Sequence, residues 1–330
     1  MSGAAMRLGV IGGGAWGTAL AQVAARDGLP VRFWARETAV VEAINQACEN
    51  TPFLPGVPLS PLIAATGDLA AMQDCDALML VVPAQYLRGI LAAMPRVGLP
   101  LVLCAKGIEA GTAKLMAEVA GDVCPRAPIA VLSGPTFARE VALGLPTAVT
   151  IASADTALAG RLAHRLATPM FRPYVSDDVV GAEIGGAVKN VLAIACGVVD
   201  GAGLGQNARA ALIARGFAEM TRFGLARGGR AETLTGLSGL GDLVLTCSSV
   251  ASRNYSLGVE LGQGRGAADI LAGRTSVAEG ASTAPVLAEA AAAMGVAMPV
   301  VDAVCSLLAG EPVRDAIERL LARPIAAEFG

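Results

Sequence analysis

Histidine is nearly absent: His164 is the one imidazole in 330 residues. An imidazole-ligated metal centre is therefore not expected, and His164 lies in an Ala/Leu/Arg helical pattern away from every motif. Charged residues make up only 16% of the chain and aromatics 4%. With a net charge of -3 the sequence carries no basic footprint for nucleic acid, although local basic pockets for a small anion remain open. Cys48, Cys75, Cys104, Cys124, Cys196, Cys247 and Cys305 are scattered, with no Cys-x-x-Cys. They read as small buried hydrophobes rather than a disulfide framework or zinc site.

Two stretches lack charge and raise the question of targeting or membrane insertion. Leu8 to Ala25 centres on Gly12, Gly13, Gly14, Gly17 and Thr18 instead of an apolar signal core, and follows a strand-like run. Asn50 to Gly67 holds four prolines, which no spanning helix accommodates; Asn50 to Pro61 reads as a surface loop. The expectation is a soluble, cytoplasmic protein with no stable membrane insertion.

Apolar residues and glycine are abundant: 54% of the chain is hydrophobic and 40 residues are glycine. The length suggests two domains, residues 1–180 and 181–330. In the first, β-branched runs at Arg7–Ile11, Val31–Trp34, Ala77–Val82, Leu99–Ala105, Ile129–Leu132 and Ala148–Ile151 alternate with helical patterns. That alternation predicts a Rossmann-like, doubly wound parallel sheet with helices on both faces. After about Asp178 the strand signal stops, and Ala/Leu/Val stretches broken by glycine clusters predict an all-helical C-terminal domain.

Gly12-Gly13-Gly14-Ala15-Trp16-Gly17 is a Gly-x-Gly-x-x-Gly between a strand and a helix. The glycines permit a tight turn and close backbone approach, while the helix start offers amides to a pyrophosphate. At the end of the second strand Arg36 can pair with a 2′-phosphate, favouring NADPH; Glu37 beside it can hold a ribose hydroxyl, which leaves NADP or NAD open.

Between Gly181 and Val199 a helix of small and apolar residues carries Lys189 at its centre, with no acid one turn away. A buried unpaired ammonium costs several kcal/mol, so this lysine needs an anion, a ligand or a shifted pKa. Its functional reading is a proton donor to a carbonyl oxygen during hydride transfer. Lys106 follows a strand, where ligands of open α/β sheets collect, and Ser133-Gly134-Pro135-Thr136-Phe137-Ala138 follows another. Asp242 comes after a glycine-rich loop, with Thr246 one turn later on the same face. Ser252-Arg253-Asn254 opens a helix, where an N-cap, free amides and a guanidinium suit a phosphate.

In this order the pieces resemble the bacterial-type NAD(P)-dependent glycerol-3-phosphate dehydrogenases. The resemblance rests on Gly12-x-Gly14-x-Trp16-Gly17-Thr18, Phe53-Leu54-Pro55, Lys106-Gly107-Ile108, Ser133-Gly134-Pro135-Thr136-Phe137-Ala138 and Lys189-Asn190-Val191. Asp200-Gly201-x-Gly203-Leu204-Gly205-x-Asn207, Gly239-Leu240-Gly241-Asp242-Leu243 and Ser252-Arg253-Asn254 complete it, and it spans nearly the whole chain. It implies reversible reduction of dihydroxyacetone phosphate to sn-glycerol 3-phosphate for phospholipid synthesis, by a homodimer. By position it implies Lys189 as general acid/base. Substrate contacts would fall on Lys106, Gly134, Thr136, Asp242, Ser252, Arg253 and Asn254. Cofactor contacts would fall on Ala15, Trp16, Arg36, Lys106, Ala138, Arg253, Val277 and Glu279. A β-hydroxyacid dehydrogenase or ketopantoate reductase shares the Rossmann domain, the helical domain and a lysine; Ser252-Arg253-Asn254 after Asp242 argues instead for a phosphorylated substrate. A dinucleotide-sensing regulator would need a partner- or DNA-reading module, and none is visible.

Overall fold

The computed structural model describes residues 6–95, 98–274, 277–322 and 324. Eight strands form one sheet: β1 (Leu8–Ile11), β2 (Val31–Trp34), β3 (Ile63–Thr66), β4 (Ala77–Leu80), β5 (Leu101–Leu103), β6 (Ile129–Ser133), β7 (Thr147–Ala152) and β8 (Phe171–Ser176). Their order is β3-β2-β1-β4-β5-β6-β7-β8, with β1 and β4 side by side at the point where the winding reverses. Every residue of β1 and β4 is buried, as the uninterrupted apolar runs predict for strands covered on both faces.

Helices α1 (Ala15–Ala24), α2 (Thr38–Ala47), α3 (Leu87–Ala93), α4 (Met116–Val123), α5 (Ala138–Leu143) and α6 (Thr156–Leu166) accompany the strands. The helical part follows as α7 (Val179–Gly201), α8 (Gly205–Ala226), α9 (Ala231–Thr235), α10 (Asp242–Thr246), α11 (Arg253–Gly262), α12 (Ala267–Ala272), α13 (Glu279–Ala293), α14 (Pro299–Leu308) and α15 (Val313–Leu321).

The sheet departs from the expected all-parallel arrangement at one pair: β7 runs antiparallel to β6. Between them α5 has six residues, about 9 Å of helix, too short to carry the chain back along the sheet for a parallel crossover. Two strands escaped the sequence reading. Ile63-Ala-Ala-Thr66 is only four residues long with two alanines at its centre, and Phe171–Ser176 contains Pro173, which demotes a central strand but suits the sheet edge that β8 occupies. The proline-rich segment is no simple surface loop either. Asn50 is fully buried and Leu54, Val57 and Leu59 are in the core.

Helix α7 is the centre of the helical part, and by length and composition alone it could cross a membrane. Here it is a core helix, with 89% of its most apolar stretch buried inside the protein. Its small residues let neighbouring backbones approach: a Cβ on Gly197 would collide with the Tyr255 carbonyl, and one on Gly258 with the Ile194 carbonyl. Near its start Asp178 caps the helix through Gly181 N (2.8 Å) and also accepts from Arg230 N (2.9 Å).

Glu183, 6% exposed, reaches from α7 to the start of α4, where its Oε1 accepts from Ala117 N at 2.8 Å. Its Oε2 is buried without a partner among the described residues, and burial pushes the carboxyl up to about 8. A carboxyl raised in the fold lends its stability at low pH and loses it as pH climbs from the unfolded value, about 4.3, through 8. Glu183→Gln keeps the acceptor and removes the titration. It should match the wild type near pH 4.5 and exceed it by ~2–4 kcal/mol at pH 8.5 in urea unfolding; a pH-independent difference would contradict this.

Candidate active site

The glycine loop joins β1 to α1 at the reversal of the sheet. Gly12 has φ +137°, and a Cβ there would lie 2.5 Å from the Val81 carbonyl oxygen; a Cβ on Gly17 would strike the Gly12 carbonyl. Around Gly14, by contrast, the space beyond its backbone is open, and it begins α1 without a side-chain cap. The loop thus packs tightly against the sheet while the helix amides stay available to an anion, which fits a dinucleotide pyrophosphate. Asn50 braces it, donating Nδ2 to Gly13 O (2.8 Å) and Thr18 Oγ1 (2.7 Å). No sequence spacing announced Asn50, because its partners are a carbonyl and a hydroxyl met only through folding.

Ala15 and Trp16 form the first turn of α1, and the Trp16 indole nitrogen is buried without a partner among the described residues. Arg36 stands exposed past β2 and pairs with Glu37 (Nη2 to Oε1, 2.7 Å). A Cβ on Gly13 would lie 3.5 Å from Glu37 Oε2, so this carboxylate flanks the loop. Ala138 opens α5, and Val277 is exposed just before α13.

Lys189, 6% exposed, and fully buried Asp242 form the core of a second group. Lys189 Nζ donates to Asp242 Oδ1 (2.5 Å) and Thr246 Oγ1 (2.9 Å). The other oxygen of Asp242 accepts from Lys106 Nζ at 2.6 Å, and Lys106 also donates to Gly134 O at 3.2 Å. The acid missing from the lysine's own helix therefore arrives from a turn 53 residues away in sequence. Leu237–Gly241 makes that approach as a single π-turn leading into α10. Gly185, one turn before Lys189, admits it: a Cβ at Gly185 would collide with the Ser238 carbonyl.

Burial lowers the Lys189 ammonium to about 8, with Asp242 opposing the shift and Lys106 adding to it. An amine near neutrality can give and take a proton at physiological pH.

Ser252 caps α11, its hydroxyl accepting from Tyr255 N at 3.2 Å. Arg253 is exposed, and its side chain has no hydrogen-bond partner among the described residues. Asn254 is buried: Nδ2 donates to Asn190 Oδ1 (3.0 Å), and Oδ1 accepts from Gly280 N (2.9 Å). Asn190, the neighbour of Lys189, thus ties α7 to α11, a pairing no local spacing revealed. Glu279 accepts from Ala84 N (3.2 Å) just after β4, joining α13 to the sheet crevice. Burial raises its carboxyl, against the opposing charges of Arg253, Lys106 and Lys189. Thr136 Oγ1 lies 3.4 Å from the carbonyl of Gly134. The fold brings Lys106, Lys189, Asp242, Thr246 and Gly134 into one hydrogen-bonded group, with Glu279 linked to it electrostatically. Arg36 stands apart, at the tip of β2.

Comparison with known proteins bears on the family and the fold. Residues 7–159 match the family model for the NAD-dependent glycerol-3-phosphate dehydrogenase N-terminus, and residues 178–318 that for its C-terminus. The chain is 63% identical over 321 residues to glycerol-3-phosphate dehydrogenase [NAD(P)+] 1 of Sphingopyxis alaskensis, covering 97% of each chain. The crystal structure of glycerol-3-phosphate dehydrogenase from Coxiella burnetii superposes with a TM-score of 0.92 at 37% identity, covering 96% of this chain and 99% of that one. A ketopantoate reductase from Ralstonia eutropha, at 17% identity and TM-score 0.60, covers 96% of this chain and 100% of its own and shares the fold alone. With both halves of the family matched and a close relative covered end to end, the chain belongs to the NAD(P)-dependent glycerol-3-phosphate dehydrogenases, a family of oxidoreductases.

Proposed function

We propose that the chain catalyses reversible reduction of dihydroxyacetone phosphate to sn-glycerol 3-phosphate, a precursor of glycerophospholipids. The observation that carries this reading is Lys189, buried and tuned to about 8 beside Asp242 and Lys106 at the carboxyl ends of the sheet. Gly12, Gly14 and the amides opening α1 would hold the pyrophosphate of a reduced dinucleotide, which when bound would supply the hydride for the carbonyl carbon. Lys189 donates the proton from its Nζ to the carbonyl oxygen, and in the oxidative direction its neutral amine takes that proton back. Asp242 holds the amine in place with Thr246. Lys106 balances the other carboxylate oxygen and adds positive charge where the oxyanion develops.

At the far end of the substrate, the free guanidinium of Arg253 and the amides opening α11 suit a phosphate dianion. Asn254 has one N–H left beyond its bond to Asn190, and Ser252 acts through the cap it makes. Arg36 favours NADPH, because a 2′-phosphate can replace Glu37 as its partner; Glu37, once released, can accept from a ribose hydroxyl of NADH. Ala15, Trp16, Ala138, Val277 and Glu279 complete the cofactor contacts in this reading.

Steady-state reduction of dihydroxyacetone phosphate with NADPH and NADH tests the proposal; no turnover with either would end it. General-acid action needs the protonated amine, so kcat/KM for reduction should fall as pH rises through about 8, while oxidation should gain over the same range. Lys189→Ala should lower kcat by about 10²–10⁴-fold with cofactor affinity retained; near-normal turnover would remove the residue from the chemistry. Arg253→Ala should chiefly raise KM for the phosphorylated ketone, by about 10–100-fold, the equivalent of a lost charge-assisted hydrogen bond. Arg36→Ala should cost about tenfold in kcat/KM with NADPH and little with NADH, measured as the ratio between the two cofactors.

A further inference from the structure

Seven buried side-chain polar atoms lack a partner among the described residues, and Ser133 Oγ is one of them. Ser133 ends β6, is 2% exposed, and faces α7. A Cβ built on Gly186 would lie 3.1 Å from Ser133 Oγ and 3.2 Å from Lys106 Cγ. The hydroxyl and the lysine stem therefore share the hollow above a glycine one turn before Lys189. Lys106 spends two of its three N–H donors, on Asp242 Oδ2 and on the carbonyl of Gly134, the residue after Ser133. An orphaned buried hydroxyl destabilises a fold, and alanine would remove that cost. The fold gains nothing from a serine here that alanine would not give.

We propose that Ser133 is a positioning residue for Lys106: its hydroxyl and the bare Gly186 form the two walls that aim the lysine at Asp242, and Oγ is the acceptor for the third N–H when substrate draws the ammonium off Gly134. The inference rests on the proposed roles of Lys189 and Lys106. The groups facing Lys106 are Asp242 from α10, Lys189 from α7, Glu279 from α13 and Cys104 two residues before it, just past β5. Among them Lys106 depresses the Lys189 pKa, and Asp242 raises it. A Lys106 that drifts from its place weakens the first effect and frees Asp242 for Lys189, so both changes move Lys189 upward.

The test compares wild type, Ser133→Ala and Gly186→Ala in dihydroxyacetone phosphate reduction across pH, with thermal unfolding alongside. The wild-type profile examines the parent reading by itself: a limb near 8 supports Lys189 as the acid whatever the variants do. Ser133→Ala should keep or raise the Tm, lower kcat about 5- to 20-fold with a smaller change in KM, and move the limb up by several tenths of a pH unit. Gly186→Ala, which crowds the same hollow from the opposite wall, should move the limb in the same direction. An unchanged kcat and limb in Ser133→Ala would overturn the proposal. So would a kcat loss with an unmoved limb, or a loss that tracks a fallen Tm.

Discussion

The structure depends on one buried carboxylate held between two ammonium groups. Asp242 alone would face a severe desolvation cost at full burial, and so would Lys189. Each offsets the other, and Lys106 satisfies the remaining oxygen. The three residues come from the loop just after β5 of the sheet, the middle of the longest described helix and the start of α10, directly after the π-turn. None can move far without leaving a buried charge unmatched. That demand registers the helical part against the sheet more tightly than apolar contact, which is non-directional, could do.

Close backbone packing is what makes the ion cluster possible. Asp242 reaches Lys189 only because the turn before it lies directly on α7 at Gly185, and Lys106 passes α7 only over Gly186. Farther along, Gly197 and Gly258 bring α11 against the same helix, so that Asn254 meets Asn190. The unusual composition of α7 has two causes acting together. Its alanines and aliphatics fill the core, and its glycines are places where another backbone or a functional side chain must come within van der Waals reach.

Much of this was legible in the sequence, for reasons that differ by residue. Lys189 was legible because a lone cation in a small-residue helix contradicts its surroundings, and such contradictions concentrate at functional sites. The glycine loop was legible because its chemistry is local: a turn, an approach and a helix start lie within six residues. The antiparallel β7 and the edge strand β8 were not, since strand direction is settled by the short α5 and Pro173 is tolerated only at an edge. Asn50 and Asn190 were hidden for a third reason: their amides meet partners 37 and 64 residues away. Ser252 was read as a cap as well as a phosphate ligand, and the structure gives its hydroxyl to the cap.

Charge balance connects the two ends of the proposed substrate. Lys189, Lys106 and Arg253 face Asp242 and Glu279, three cations against two anions when all are ionised. Burial works against full ionisation, lowering Lys189 and raising Glu279. In the proposed function, a phosphate bound by Arg253 would add negative charge beside the same cluster, which would favour the protonated amine over the neutral one. By linkage the effect would run both ways: phosphate binding would draw a proton onto Lys189, and a protonated Lys189 would tighten the phosphate. On the proposed function, the end of the substrate that does not react thus prepares the acid for the end that does. A ketone lacking that anion would meet the amine in its less charged form and would lose rate as well as affinity, which is how remote binding energy becomes catalysis.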